Sequence, residues 1–196
     1  MAIFITSKEY TEMNELRSPA YWVGHLFTIA ATIIGVYYAA ITGFEVALDL
    51  EELKADRETY YVTKSIYHEL DFNVKNLNKY VKRVEKEQFV YREHVAGIKI
   101  NKYIFNASKR SESLFEIEPQ LLSEISTYYF SVGEAIDFYY ESGMQSPGNL
   151  MKVVREEADK LKEQKTFERL AEFNKEMSES IQARGVDLSQ KASLYK

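Results

Sequence analysis

"AYWVGHLFTIAATIIGVYYAAITGF", residues 20–44, runs for 25 residues without an Asp, Glu, Lys or Arg. Wound as an α-helix it reaches about 37 Å, against a bilayer hydrocarbon core of roughly 30 Å. The core helix of a soluble domain normally keeps a polar face, and here no face carries a charge. Thr28, Thr32, Thr42 and His25 are the polar residues. A threonine hydroxyl can bond back to its own helix carbonyls, and His25 falls near one end, within reach of headgroups and water. Tyr21 and Trp22 have the amphipathic rings of an interfacial belt. Ser18-Pro19 supplies a cap and a first-turn proline. The stretch reads as a transmembrane helix; the alternative is an interior helix of a soluble domain.

The run is too long for a cleaved secretory signal. The residues before it, "MAIFITSKEYTEMNELRSP", mix acids with bases, unlike a short positive leader. A retained anchor is expected. Its orientation is close to a tie, with Lys8 and Arg17 upstream against Lys54 and Arg57 downstream. Arg17, next to the span, favours an inside N-terminus and a C-terminal domain on the outer side.

The span is rich in small residues. Ala31, Gly35, Ala39, Gly43 and Ala47 recur at every fourth position, and Gly24, Thr28 and Thr32 extend a neighbouring strip. In lipid no hydrophobic force drives helices together, so association depends on close backbone approach, which small residues at this spacing allow. Gly24, Thr28, Ala31, Gly35, Ala39, Gly43 and Ala47 therefore form the candidate helix-association face. Its partner is either a second copy of the chain or another membrane protein.

Beyond the span the chain reads as helical. Neither Gly nor Pro occurs from Glu45 to Ala96, so the helix can continue unbroken. Val46, Leu53, Tyr60, Tyr67, Val74 and Val81 fall seven apart, and Leu70, Leu77 and Val84 fill a second row whose earlier places hold Asp56 and Thr63. This is a heptad stripe of bundle or coiled-coil type. Residues 99–110 read as a short helix and 111–117 as the turn after it. Pro119 opens the next helix, with Leu121, Leu122, Ile125, Tyr128, Tyr129, Val132, Ile136 and Tyr139 at three-and-four spacing, up to about Gly143. "MQSPGN" is a turn in which Ser146-Pro147 starts another helix. Leu150, Val154, Ala158 and Leu161 mark its apolar face. Phe167, Leu170, Phe173 or Asn174, Met177 and Ile181 mark a displaced one, so a kink or a second helix is expected between Leu161 and Phe167. Mixed-sign charges such as Glu156 and Lys160 belong to a solvated face. Gly185 ends the pattern, and the rest reads as a frayed tail. The chain is thus organised as a flank (1–19), a transmembrane helix (20–44), a helical bundle (45–184) and a flexible tail (185–196).

Composition narrows the chemistry. The chain has 196 residues and no cysteine, which removes disulfides, thiolate metal sites and thiol catalysis. A net charge of −5 argues against a nucleic-acid partner. His25, His68 and His94 lack the glutamate three residues earlier that a di-iron bundle needs, and no His-Glu-x-x-His helix occurs. Phosphate-cradling glycine motifs and a Gly-x-Ser-x-Gly elbow are absent from the sequence. No catalytic, cofactor-binding or metal residue is assigned, and His68 and His94 are expected at the surface or as caps. Tyrosine, often paired as in Tyr128-Tyr129 and Tyr139-Tyr140, suits helix–helix contacts.

The run "HELDFNVKNLNKYVKRVE" followed by "YIFNASKRSESLFEIEPQLLSEISTYYFSVGEAIDFY" resembles a group of uncharacterised bacterial single-pass membrane proteins. In these an N-terminal span leads into a helical hairpin, with an Asn after a Glu-Leu pair (Asn73 here). The resemblance covers residues 20 to about 141 and implies a bacterial inner membrane protein; it carries no activity.

The expectation is an all-α protein: one N-terminal transmembrane helix continuing into an antiparallel helical bundle. Its function is expected to be that of a non-enzymatic, membrane-anchored accessory or scaffold protein working through helix–helix association, with lipid and an oligomeric or membrane-protein partner. The alternatives are an extracytoplasmic helical-bundle sensor and an oligomeric pore-forming effector whose stripe is Thr28, Thr32 and Thr42.

Overall fold

The structure, a computed structural model, describes residues 19–86, 98–142 and 147–188. Among these residues the protein is all-α, with no strand. The helices are α1 (Pro19–Lys86), α2 (Tyr103–Ser108), α3 (Pro119–Ser142), α4 (Pro147–Glu163) and α5 (Thr166–Ala183). A 3₁₀ turn, Glu112–Glu116, stands between α2 and α3. The expectations for the 1–18 flank, His94, Gly97, Gly143 and the tail from 189 onward lie outside the described residues.

The chain divides into two compact units, residues 1–52 and 53–196. In the first, α1 runs from Pro19 through the apolar stretch, and every described residue as far as Glu52 is exposed. Gly24, Gly35 and Gly43 are isolated in this stretch, and each lowers helix propensity without ending the helix.

The second unit is the bundle. The rest of α1 contributes one strip of buried residues: Thr59, Thr63, Ile66, Leu70, Asn73, Leu77 and Tyr80. These alternate by four and three, the period of a helix packed in a bundle. The heptad stripe is therefore real, but its centre lies beside the row of tyrosines and valines. Tyr67 and Val74 are half-buried, and Val46 is exposed, whereas Leu70 and Ile66 are fully buried. The centre was hidden because three of its members are polar.

Those polar members find partners. Thr63 donates to Asn174 Oδ1 on α5 at 2.6 Å, and Asn174 Nδ2 donates to the Leu170 carbonyl. Asp56 pairs with Arg184 at 3.2 Å. Both weak places in the seam thus face the C-terminal half of α5. Asn73 exchanges two hydrogen bonds with the backbone of Asn101, at 2.7 and 2.8 Å.

These contacts set the directions. Asn101 lies against Asn73 and Ser111 against Glu58, so the segment through α2 returns antiparallel to α1. Helix α3 runs with α1, since Tyr129 meets Glu69 while the field of Tyr139 reaches Tyr80. Helices α4 and α5 run back: Arg155 pairs with Glu85, Phe167 meets Tyr67, and Arg184 meets Asp56. Helices α2, α3 and α4 each reverse the direction of the element before them, and α5 continues in the direction of α4. The core is one cluster in which Ile66, Leu70, Ile125, Val132, Leu150 and Leu170 are completely buried.

Helix α3 keeps its expected face, with Leu121, Ile125, Tyr128, Tyr129, Val132, Ile136 and Tyr139 all buried. Helix α4 opens at Pro147, so 147–149, read as turn, already belong to the helix. The slip of apolar phase after Leu161 is a true break: α4 ends at Glu163, and Lys165 takes the left-handed conformation at φ 54° before α5 begins. From Leu161 to Leu170 is nine residues, half a turn out of phase on one straight helix. Only a change of direction lets both leucines be buried. Gly185, at φ 82°, closes α5 in the same region of backbone space.

Candidate functional site

The seven residues of the candidate association face lie on the N-terminal part of α1, and all are exposed. At about 100° per residue they fall within an arc of about 160° centred on Ala39. Trp22, Phe27, Ile33, Ile34, Tyr37 and Phe44 occupy the remaining arc and are each more than half exposed. A side chain added at Gly24, Gly35 or Gly43 would meet no atom within 4 Å, so among the described residues no group fills the space beside these glycines. Thr28 donates to the Gly24 carbonyl at 3.0 Å and Thr32 to the Thr28 carbonyl at 2.8 Å. Their protons are used within the helix, which keeps the face apolar in character. Tyr21 packs edge-on to His25 with ring centres 4.2 Å apart, at the end where interfacial residues were expected.

This helix is long and apolar enough to cross a membrane, and none of its most apolar window is buried within the protein. Within the second unit, the buried residues of α1 begin at Thr59.

In the bundle, two sets of buried polar groups hold helices together. Glu69, almost wholly buried, accepts from the backbone N–H groups of Ile104 at 2.6 Å and Phe105 at 3.1 Å, and from the Tyr129 hydroxyl at 2.9 Å. It caps α2 from another helix, where free N–H groups and the helix dipole favour an anion. Burial first, and the Glu69 charge second, push the Tyr129 hydroxyl pKa well above its ordinary value. The Tyr129 ring stacks on Phe105 at 4.5 Å. Sequence reasoning singled out Asn73 and passed over Glu69; the visible signal was an acid and an amide four apart within an apolar stripe.

A second set joins α3 to α5. Glu124 accepts from Thr166 at 2.8 Å and from Arg169 at 2.7 Å, while the other arm of Arg169 reaches Glu118 at 2.7 Å. The hydrogen bonds that Arg169 donates to Glu118 and Glu124 raise its guanidinium pKa above the ordinary value. Beside them Glu124, Glu157, Lys160 and Gln164 line a cleft of about 270 Å³ between α3 and α4. Lys160 closes on Glu157 at 2.6 Å. Each of the two carboxylates thus has a basic partner, Arg169 for Glu124 and Lys160 for Glu157.

Among the described residues no group of three or more His, Asp or Glu could hold a metal ion. His68 is exposed, as expected. Compared with models of known protein families, with curated proteins and with solved structures, the chain matches none.

Proposed function

We propose that the protein is a non-enzymatic, single-pass membrane protein of the bacterial inner membrane. It is anchored by residues 20–44, with the chain beyond the span on the outer side, and acts as an accessory or scaffold subunit. One observation carries the reading: an uncharged helix of membrane-crossing length with every residue exposed. Nine Val, Leu, Ile and Phe residues in this stretch each favour insertion by about 0.3–0.6 kcal/mol, roughly 3–5 kcal/mol together. Left in water, such a surface would drive aggregation.

The face of Gly24, Thr28, Ala31, Gly35, Ala39, Gly43 and Ala47 supports association with a second copy or a membrane-protein partner, because its residues are small and a side chain added at Gly24, Gly35 or Gly43 meets no described atom within 4 Å.

Trp22, the one tryptophan, reports on the anchor. In nanodiscs its fluorescence is quenched by brominated lipid; unquenched emission from protein made without detergent as a soluble monomer would end the reading. For the face, Gly35→Leu with Gly43→Leu lowers association in a membrane two-hybrid assay. Unchanged association removes this face and leaves the anchor standing.

A further inference from the structure

Helix α3 carries four acids, Glu124, Glu134, Asp137 and Glu141, and no Lys or Arg. Glu124 is committed to Arg169. Glu134, Asp137 and Glu141 are exposed, and no base among the described residues pairs with them. They sit at positions i, i+3 and i+7, one stripe of the helix surface. Two phenylalanines interrupt this stripe: Phe130 is 68% exposed and Phe138 is 53% exposed. Phe138, Ala135 and Val153 also line a groove of about 700 Å³ between α3 and α4, with Glu134 and Glu156 at its edge. On α4 the nearby charges are neutralised in place, Lys152 facing Glu156 and Lys160 facing Glu157.

The groove thus offers Phe138, Ala135 and Val153 among polar side chains, and it opens beside the acidic stripe of Glu134, Asp137 and Glu141, with which no base among the described residues pairs. Exposed aromatic surface rimmed by charge marks a binding surface, and charge complementarity fixes what approaches it. We infer that this groove docks a basic amphipathic helix of a partner protein, its apolar side chains against Phe138 and its Lys or Arg residues along Glu134, Asp137 and Glu141. The inference rests on the interaction-protein reading above and names the partner's chemistry.

The test uses the full chain in phosphatidylcholine nanodiscs and a fluorescent helical peptide of leucine and lysine in amphipathic order. Its counterpart has glutamate in place of lysine. Peptide bound by lipid alone is common to all samples, so the readout is the difference between the wild type and the triple variant E134K, D137K, E141K. Circular dichroism confirms that the variant is folded. The wild type binds the lysine peptide about tenfold more tightly than the variant does, and salt narrows the gap. Phe138→Ala, which keeps the charges, also weakens binding. Equal binding by wild type and triple variant, or equal binding of the two peptides, overturns the inference. Self-association lost in the triple variant puts a second copy in the groove and overturns it as well. None of these outcomes bears on Trp22 quenching or on the Gly35 and Gly43 variants, so the two readings fail separately.

Discussion

Tyr128 and Tyr129 are neighbours on α3, each 1% exposed, yet the structure assigns their hydroxyls opposite energetic signs. The Tyr129 hydroxyl donates to Glu69 at 2.9 Å; that of Tyr128 is buried without a hydrogen-bond partner. Phenylalanine at either place keeps the ring and its packing, including the stack on Phe105. At Tyr129 the change removes a hydrogen bond to a charged group, which contributes about 1.5–3 kcal/mol, and leaves a buried carboxylate with two backbone donors. At Tyr128 it removes a group whose burial without a partner costs about 1–3 kcal/mol. Tyr129→Phe should therefore destabilise by about 2 kcal/mol, while Tyr128→Phe should be neutral or stabilise by up to about 1 kcal/mol. Urea unfolding of the full chain in a mild detergent, followed by circular dichroism at neutral pH, measures both. Equal losses at the two positions would refute the assignment of Glu69 as the shared acceptor for Tyr129 and the α2 backbone.

The same tyrosines predict an alkaline limit. Burial, with the fields of Tyr139 and Tyr140, pushes the Tyr80 hydroxyl up to about 12, and burial also raises Tyr128 and Tyr129. Between about pH 10, where unfolded tyrosine ionises, and about 12, the unfolded chain holds fewer protons than the folded one. Stability is thus complete below about pH 10 and falls as pH rises toward 12, which urea midpoints measured across that range would show; a midpoint unchanged from about pH 9 to 12 would contradict this. At the α4–α5 break, Lys165→Gly relieves a left-handed conformation that costs an L-residue about 1–2 kcal/mol, while increasing the entropy of the unfolded chain. A net gain of about 0.5–1 kcal/mol in the same urea assay is expected, and a loss would show that the break is held some other way.

The elements with strong apolar period were legible from sequence: α3 from Leu121 to Tyr139, the opening prolines of α3 and α4, the phase slip after Leu161. The centre of the α1 seam was not, because Thr59, Thr63 and Asn73 occupy it and a hydrophobic pattern has no means of crediting a polar residue whose partner lies far along the chain. Thr63 needs Asn174, and Asn73 needs the backbone of Asn101; neither pairing is written in a local window. Glu69 was hidden for the same reason. An acid beside Leu70 reads as solvated surface until α2 arrives with its free N–H groups. The spacing-four row of small residues could be read directly, since its placement depends only on one helix, and all its members are exposed. The exposed stripe of α3 was half visible: its phenylalanines fall off the apolar face, but only the groove beside them gives that placement a use.

Spacing four also limits how much of the association face one partner can use. Each step of four residues advances about 40° around a helix of 3.6 residues per turn, so Ala31 and Ala47 lie about 160° apart. A straight neighbour touches a narrower arc than that and follows the spiral only by crossing with the right-handed tilt of small-residue pairs, about −40°, which carries it away from the axis within two or three turns. If a partner helix docks on the proposed face, its contact is expected to concentrate on Gly35, Ala39 and Gly43, with Ala39 at its middle. Ala39→Leu inserts a branched side chain where the two backbones are closest and should reduce association about tenfold or more in the membrane two-hybrid assay, whereas Ala47→Leu, with identical chemistry, should leave it within about twofold. If Ala47→Leu proved as damaging as Ala39→Leu, the partner would have to wrap the whole arc. A single crossing helix cannot do so, and the face would then belong to a contact among three or more helices.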